Sequence, residues 1–316
     1  MNHGVYIATK NRENDVFKFL DSLVLNKSIF EVIIIDSTEP KERFDSFDRE
    51  IEARYPKLKV THIFHSGRLP SARNAGLDLR ISHDLIHFFD DDVTIPSDYF
   101  EKIEAFLSSH LDVDGGGPRI KGSYIADMNR KETIPLEILR RIQNIRLKFR
   151  RYGSVNRACK HYWVPDKLGS SQVVEWIPGC SMFFKPQVFE HFRFNSSMET
   201  GFSGYAFGED MEFTYRVGRK FKLMSVDTTS IEHHLAPSPR SDMLFIASCL
   251  GATTAHMYTL FPDRFSKYRI HLEKLIEFYL QSLKLEDKKF SALTTSFKRF
   301  RVEFKREVKE KNWIDS

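Results

Sequence analysis

Residues 88–96 read FFDDDVTIP, three consecutive carboxylates closing an apolar run that includes Ile86, Phe88 and Phe89. Like charges packed against a buried segment cost free energy unless a cation sits with them. In extended backbone Asp90 and Asp92 point to one side and Asp91 to the other. Two carboxylates on one side of an apolar strand suit a hard divalent cation, magnesium or manganese, completed by phosphate oxygens. A solvated turn fits the same three residues, because Pro96 follows closely. A second acidic pair, Glu209-Asp210, opens the helix-like pattern GEDMEFTYRV, where acids also favour the helix dipole. His233-His234 follows in SIEHHLAPSPR and adds a further group of metal-binding type.

The elements around these residues decide where they meet. Val5-Tyr6-Ile7-Ala8 is a short strand-like run followed by Thr9-Lys10-Asn11-Arg12. Residues 15–25 place Val16, Phe19, Leu20 and Leu23 at helical spacing. Glu31 to Asp36 is nearly continuous and β-branched, as in a strand buried on both faces. Leu58 to Phe64 reads as the next strand, residues 70–80 as a helix opened by Pro70 and Ser71, and Leu85 to Phe89 as a fourth strand. Strand, helix, strand, helix with short connections predicts a mostly parallel α/β sheet flanked by helices. Ligands of such sheets bind outside the carboxyl ends of the strands, so Thr9 to Arg12, Asp36 and Asp90 to Asp92 should converge on one edge.

The later chain differs in character. Residues 137–160 carry eight Lys or Arg against one Glu, with Ile138, Ile142, Ile145 and Phe149 at helical intervals. A solvated basic helix fits, and so does a surface that attracts an anionic acceptor at a membrane. Residues 241–316 contain one glycine, Gly251, and one proline, Pro262, and read as a helical C-terminal extension ending in basic FKRFRVEFKREVK. That extension suits a terminal helix, a membrane-surface helix or a dimerisation element.

A 316-residue chain with 41% hydrophobic and 29% charged residues is that of an ordinary globular protein. The net charge of +5 is mild and does not point to nucleic acid. Cys159, Cys180 and Cys249 are far apart, which argues against a disulfide framework or a thiolate zinc site and fits a reducing cytosol. The N-terminus enters HGVYIATKNR without a leader pattern, and no apolar run approaches the ~20 residues that cross a bilayer. The expected location is cytoplasmic, with peripheral contact at the inner face of the membrane.

The motifs TKNR, IIIDS, GRLPSARNAGL, FFDDDV, WIPGCSMFFK, GEDMEFTYRV and EHHLAPSPR, in that order, resemble the inverting glycosyltransferases of family 2, which have the GT-A fold. The resemblance covers roughly residues 4–240. It implies a GT-A domain over 1–240, with a nucleotide-binding half at 1–95 and an acceptor half at 96–240, followed by the helical extension at 241–316. It implies that Thr9 and Arg12 line a nucleotide pocket, that Asp36 accepts a hydrogen bond from the base, and that Arg73 and Asn74 approach base or diphosphate. Asp90 would lie on the ribose side, with Asp91 in a supporting place. Asp92 and His233 would hold the divalent cation, with His234 the lesser claimant. Asp210 would be the general base, with Glu209 beside it, and Trp176 and Gly179 would border the acceptor. The implied donor is a nucleotide-diphosphate sugar of UDP or dTDP type. The acceptor would be a glycan or lipid-linked sugar; the C-terminal helices, which the resemblance does not cover, leave homo-oligomerisation as one of their readings.

Two competing readings share these residues. D-D-D-V-T after a hydrophobic strand also fits the nucleophile motif of haloacid-dehalogenase-type phosphatases, with Asp90 phosphorylated and Asp92 as acid/base. That mechanism needs a second acidic pair after a buried strand, and the SGYAFG before Glu209 does not read as one. The other is a sugar-nucleotide-binding module without turnover.

Overall fold

The computed structural model describes residues 1–39, 43–121, 152–157, 159, 161–164, 169–200, 208–234, 243–266 and 270. The first half alternates β1 (Asn2–Thr9), α1 (Glu13–Leu23), β2 (Ile29–Asp36), α2 (Arg43–Arg54), β3 (Lys59–Phe64), α3 (Leu69–Asp78) and β4 (Leu85–Asp90). Then come β5 (Val93–Thr94), α4 (Tyr99–Ser109), β6 (Gly115–Lys121), β7 (Gln172–Val173) and β8 (Ser181–Phe184). The described chain closes with α5 (Glu209–Val217), β9 (Leu223–His233) and α6 (Met243–Leu260).

One sheet runs β3-β2-β1-β4-β8-β6-β9-β5, with β7 added beside β9. β1 to β4 pair in parallel, as the crossover helices require. β8 enters antiparallel between β4 and β6, and β6 returns parallel to β9. The sheet is therefore mixed in its second half.

The apolar runs of β1 and β2 are continuous because helices cover both faces. Val5, Ile7, Val32, Ile34 and Phe89 face a core built with Phe19 and Leu20 of α1, Phe47 of α2 and Phe100 of α4. Tyr6, Ile33, Ile35, Ile86 and Phe88 face the other side, against Ala72 and Leu77 of α3 and Phe213 of α5. Each fully buried Ile or Phe contributes about 1.5–3 kcal/mol, so this double-sided burial fixes the strand ends that carry the polar residues. A third apolar cluster holds Trp176, Met211 and Tyr215 against Ala255 and Met257 of α6. Most of the basic 137–160 segment, Arg240 and the chain from 271 onward lie outside the described residues.

Candidate active site

The acidic triplet spans the end of β4 and the step into β5. Asp91 turns one way: its Oδ2 accepts from Thr9 Oγ1 at 2.7 Å, and its Oδ1 from Arg12 Nη1 at 2.9 Å. It is buried, and burial pushes its carboxyl up to about 6 against the pull of Thr9 and Arg12. Arg12 also reaches Asp92 Oδ2 at 3.7 Å. Asp91, Thr9 and Arg12 thus form a bracket across β1 and β4.

Asp90 and Asp92 turn the other way, toward His233. The pairing of β5 with β9 sets Val93 opposite His233 and brings the imidazole beside Asp92. His233 Nε2 lies 3.0 Å from Asp92 Oδ1 and 4.0 Å from Asp90 Oδ2. One ligand atom from each of the three residues falls within 4.8 Å of the others. His234 is oriented elsewhere: its backbone N–H donates to Asp92 O at 2.8 Å, and its Nε2 lies 3.0 Å from Thr94 Oγ1. Two carboxylates and one imidazole form a donor set suited to manganese or magnesium.

A second constellation lies at the start of α5. Gly208 caps this helix at φ +76°, a left-handed conformation that disfavours any residue with a Cβ. It launches Glu209 and Asp210 as the first two helical residues. Asp210 Oδ2 accepts the Gly179 N–H at 2.8 Å, and Oδ1 accepts the Met211 N–H at 2.8 Å. A Cβ on Gly179 would stand 2.9 Å from Asp210 Cβ, so only glycine permits this approach. Glu209 turns inward and is buried, with Oε1 accepting from Arg73 Nη1 at 2.7 Å.

Arg73 joins the two constellations. Its side chain is 1% exposed, its Nη2 donates to Gly179 O at 3.0 Å, and the same nitrogen lies 3.5 Å from Asp90 Oδ1. Glu209 Oε2 has no hydrogen-bond partner among the described residues. Burial pushes the Glu209 carboxyl up to about 8; Arg73 opposes the rise, and Asp210 and Asp90 add to it. Between the constellations sits Cys180, a buried free thiol. Burial raises it well above the ordinary thiol range, and Asp90, Asp210 and Asp92 raise it further. The Asp90 N–H donates to Cys180 O at 3.1 Å and the adjacent Gly179 N–H to Asp210 Oδ2 at 2.8 Å, so the Gly179-Cys180 backbone bridges the two constellations.

The structure places four further expected site residues as follows. Asn74 does not face an open pocket: its amide donates to Phe194 O at 2.8 Å and accepts the Phe194 N–H at 3.0 Å, which staples α3 to the segment before Ser196. Trp176 is mostly core and also lines a small cavity with Tyr162 and Trp163. It is 4% exposed, donates Nε1–H to Tyr162 O at 3.2 Å, and meets Trp163 edge-on at 5.0 Å. Arg73 is enclosed between carboxylates rather than presented to a ligand. Asp36, at the end of β2, is buried and accepts the Thr38 N–H on Oδ1 at 2.7 Å.

His62, which sequence reasoning passed over, approaches Asp36 Oδ2 at 3.6 Å. The signal for it was its place on the strand beside β2.

Residues 4–170, more than half of the chain, match the model of Glycosyl transferase family 2. No curated protein sequence matches the chain significantly. Among solved structures, the mannosyltransferase PcManGT from Pyrobaculum calidifontis, in complex with GDP-Man and Mn2+, superposes with a TM-score of 0.55 at 13% identity, over 99% of this chain and 88% of that one. S. aureus TarS 1-349 with UDP-GlcNAc gives 0.54 at 15%, over 95% and 80%. GalNAc-T7 with UDP, GalNAc and Mn2+ gives 0.55 at 14%, over 99% of this chain and 58% of that one, so the chain spans less than two thirds of GalNAc-T7. At these identities the likeness establishes the fold, a GT-A-like α/β sheet. The family match sets aside the phosphatase reading, and the chain belongs to glycosyltransferase family 2, the inverting enzymes that transfer a sugar from a nucleotide-sugar donor.

Proposed function

We propose that the protein is a metal-dependent glycosyltransferase that moves a sugar from a nucleotide-diphosphate donor to a hydroxyl of a glycan or lipid-linked acceptor, in the assembly of a surface polysaccharide. The observation that carries this reading is the convergence of one ligand atom each from Asp90, Asp92 and His233 within 4.8 Å.

Asp90, Asp92 and His233 would hold the divalent cation, which supplies charge stabilisation to a departing diphosphate. Asp92 and His233 are the closest pair and form the core of that site. Thr9 and Arg12 set the triplet through Asp91 and border the nucleotide. Asp36 accepts an N–H from the base. Inversion is one displacement, so the acceptor hydroxyl attacks from the side opposite the leaving group and gives up its proton to a carboxylate there. Asp210 is that carboxylate. Its orientation is fixed by the Gly179 N–H on Oδ2 and the Met211 N–H on Oδ1, so Oδ2 is held in place before the acceptor arrives. Arg73 keeps a positive charge between Asp90 and Glu209 and limits repulsion across the site.

The acceptor would enter beside Pro178-Gly179, where Tyr162, Trp163 and Arg119 line a small cavity. No described helix is long and apolar enough to cross a membrane. Attraction of the basic segments to an anionic membrane, and self-association through the C-terminal helices, belong to the proposal.

A panel of nucleotide-diphosphate sugars with manganese, followed by thermal shift, tests the donor class. Stabilisation by a uridine or thymidine sugar that disappears with chelator supports the reading. Equal stability with every nucleotide, with or without metal, contradicts it. Sedimentation with anionic liposomes at physiological salt tests the membrane contact, which fails if the protein stays wholly in the supernatant.

A further inference from the structure

His62 on β3 does no chemistry in the transfer, yet it is held more firmly than a filler histidine needs. Its side chain is 4% exposed. Nδ1 lies 2.6 Å from Asp48 Oδ1 on α2, and Nε2 lies 3.6 Å from Asp36 Oδ2 on β2. The ring stacks on Phe44 with centroids 4.1 Å apart and planes 4° from parallel, and Phe47 meets it edge-on at 5.3 Å. It therefore cannot turn away from either carboxylate. Buried Nε2 has no hydrogen-bond partner among the described residues, so the Asp36 carboxylate is the polar group it faces.

The β2–β3 register explains the meeting. Ile34 pairs with His62, and Asp36, two residues further along β2, projects from the same face of the sheet. A carboxylate at that depth is driven toward its neutral form, which cannot accept an N–H with the same strength. In Asp36, burial pushes the carboxyl up, but the nearby His62 imidazole and the bonds from Thr38 outweigh it and hold it below the ordinary range. Asp36 Oδ1 is already engaged by the Thr38 N–H. One oxygen, Oδ2, remains on the His62 side. A single acceptor suits the single N–H of an imide edge, as in uracil or thymine. Guanine offers two adjacent N–H groups and is best met by both oxygens of a carboxylate.

We infer that His62, anchored by Asp48, is a positioning residue for donor selection, holding Asp36 oriented to accept the imide N–H of a uracil or thymine base. The inference rests on the assignment of Asp36 to the nucleobase in the proposed function. His62 acts through Asp36 and does not touch the reacting atoms.

Two amide substitutions separate this role from packing. In His62→Asn the side-chain nitrogen stands near Nδ1 and keeps the Asp48 bond but withdraws the donor facing Asp36. In His62→Gln the nitrogen stands near Nε2 and retains that donor. The full-length protein is titrated calorimetrically with UDP and with GDP in the presence of manganese, alongside Asp36→Ala. His62→Asn is expected to weaken UDP binding about tenfold, the scale of one charge-assisted hydrogen bond, and to leave GDP binding nearly unchanged. His62→Gln is expected to stay within about threefold of the parent, because the donor is conserved. With saturating donor, kcat should be unchanged in both.

If Asp36→Ala weakens UDP binding while His62→Asn does not, the role of His62 is refuted and the base assignment stands. If Asp36→Ala leaves UDP binding intact, the base assignment fails and takes the inference with it. Equal losses for both nucleotides in both His62 variants, tracking a lower melting temperature, would reduce His62 to packing and overturn the inference.

Discussion

The Arg73 guanidinium lies 2.7 Å from Glu209 Oε1, and both side chains are sealed from solvent, 136 residues apart in sequence. Below about 8 the Glu209 carboxyl keeps its proton, so removing Arg73 leaves buried Glu209 Oε1 and Gly179 O without their shared donor, which costs about 1–3 kcal/mol. Arg73→Ala is therefore expected to lower stability by that order in urea denaturation. Arg73→Lys keeps the charge but cannot fork between Glu209 and Gly179 O, and should lose part of it. A stability within error of the parent for Arg73→Ala would contradict the pair's importance.

The same pair makes a pH prediction. The Glu209 carboxyl is pushed up to about 8 from 4.5. Between these values the folded protein keeps a proton that the unfolded chain has lost, so the contribution of Glu209 to stability falls as pH rises through that window. Urea midpoints measured from pH 5 to 8.5 should decline more steeply for the parent than for Glu209→Gln. Parallel curves would show that Glu209 titrates as an ordinary carboxyl.

Glu212 behaves in the opposite sense. It is buried, and burial pushes its carboxyl up, but Arg216 at 2.7 Å and nearby His256 pull it down to about 2. The folded state therefore binds this proton more weakly than the unfolded chain. Its stabilisation is fully present above about 4.5 and is lost as pH falls toward 2. Glu212→Gln should flatten the acid limb of the stability profile and weaken the protein at neutral pH. An unchanged acid limb would rule this out.

How far the sequence foretold the structure depends on the range of the interaction. The triplet does split, Asp91 toward Thr9 and Arg12 and Asp90 with Asp92 toward His233, but across a turn at Asp91-Asp92 between β4 and β5 rather than along the extended backbone that the alternation rule assumes. The parallel first half followed from apolar runs alternating with helical spacing. The antiparallel entry of β8 between β4 and β6 had no local mark, because strand order is decided by which faces need covering. Arg73 and Asn74 stand side by side on a polar-looking helix, yet one is enclosed by Glu209 and the other stapled to Phe194, more than a hundred residues away. Trp176 was expected beside the acceptor because Pro178 and Gly179 follow it, whereas its packing against α6 depends on an element over sixty residues later. His62 was invisible for the same reason: its meaning lies in its register against Asp36.

The metal site and the Gly179 contact can be tested separately. Asp92→Ala and His233→Ala remove two of the three groups that converge within 4.8 Å, and each should abolish or sharply reduce manganese-dependent stabilisation by nucleotide. Retention of full metal dependence in both would refute the site.

Gly179→Ala places a methyl 2.9 Å from Asp210 Cβ and 3.3 Å from its Oδ2. The displaced carboxylate should lower kcat by roughly 10–100-fold, the cost of a shift approaching an ångström, while nucleotide affinity is retained. Unchanged kcat would show that Asp210 need not hold this position.

The central claim is that Asp210 receives the acceptor's proton while a separate set of residues holds the donor. Asp210→Asn is nearly isosteric and keeps an acceptor oxygen for the Gly179 N–H, yet cannot accept that proton. Side by side, transfer by this variant and its affinity for the nucleotide with manganese give the most direct test. The account predicts transfer reduced by at least about 10²-fold with nucleotide affinity within about threefold of the parent. Transfer near the parental rate would contradict it.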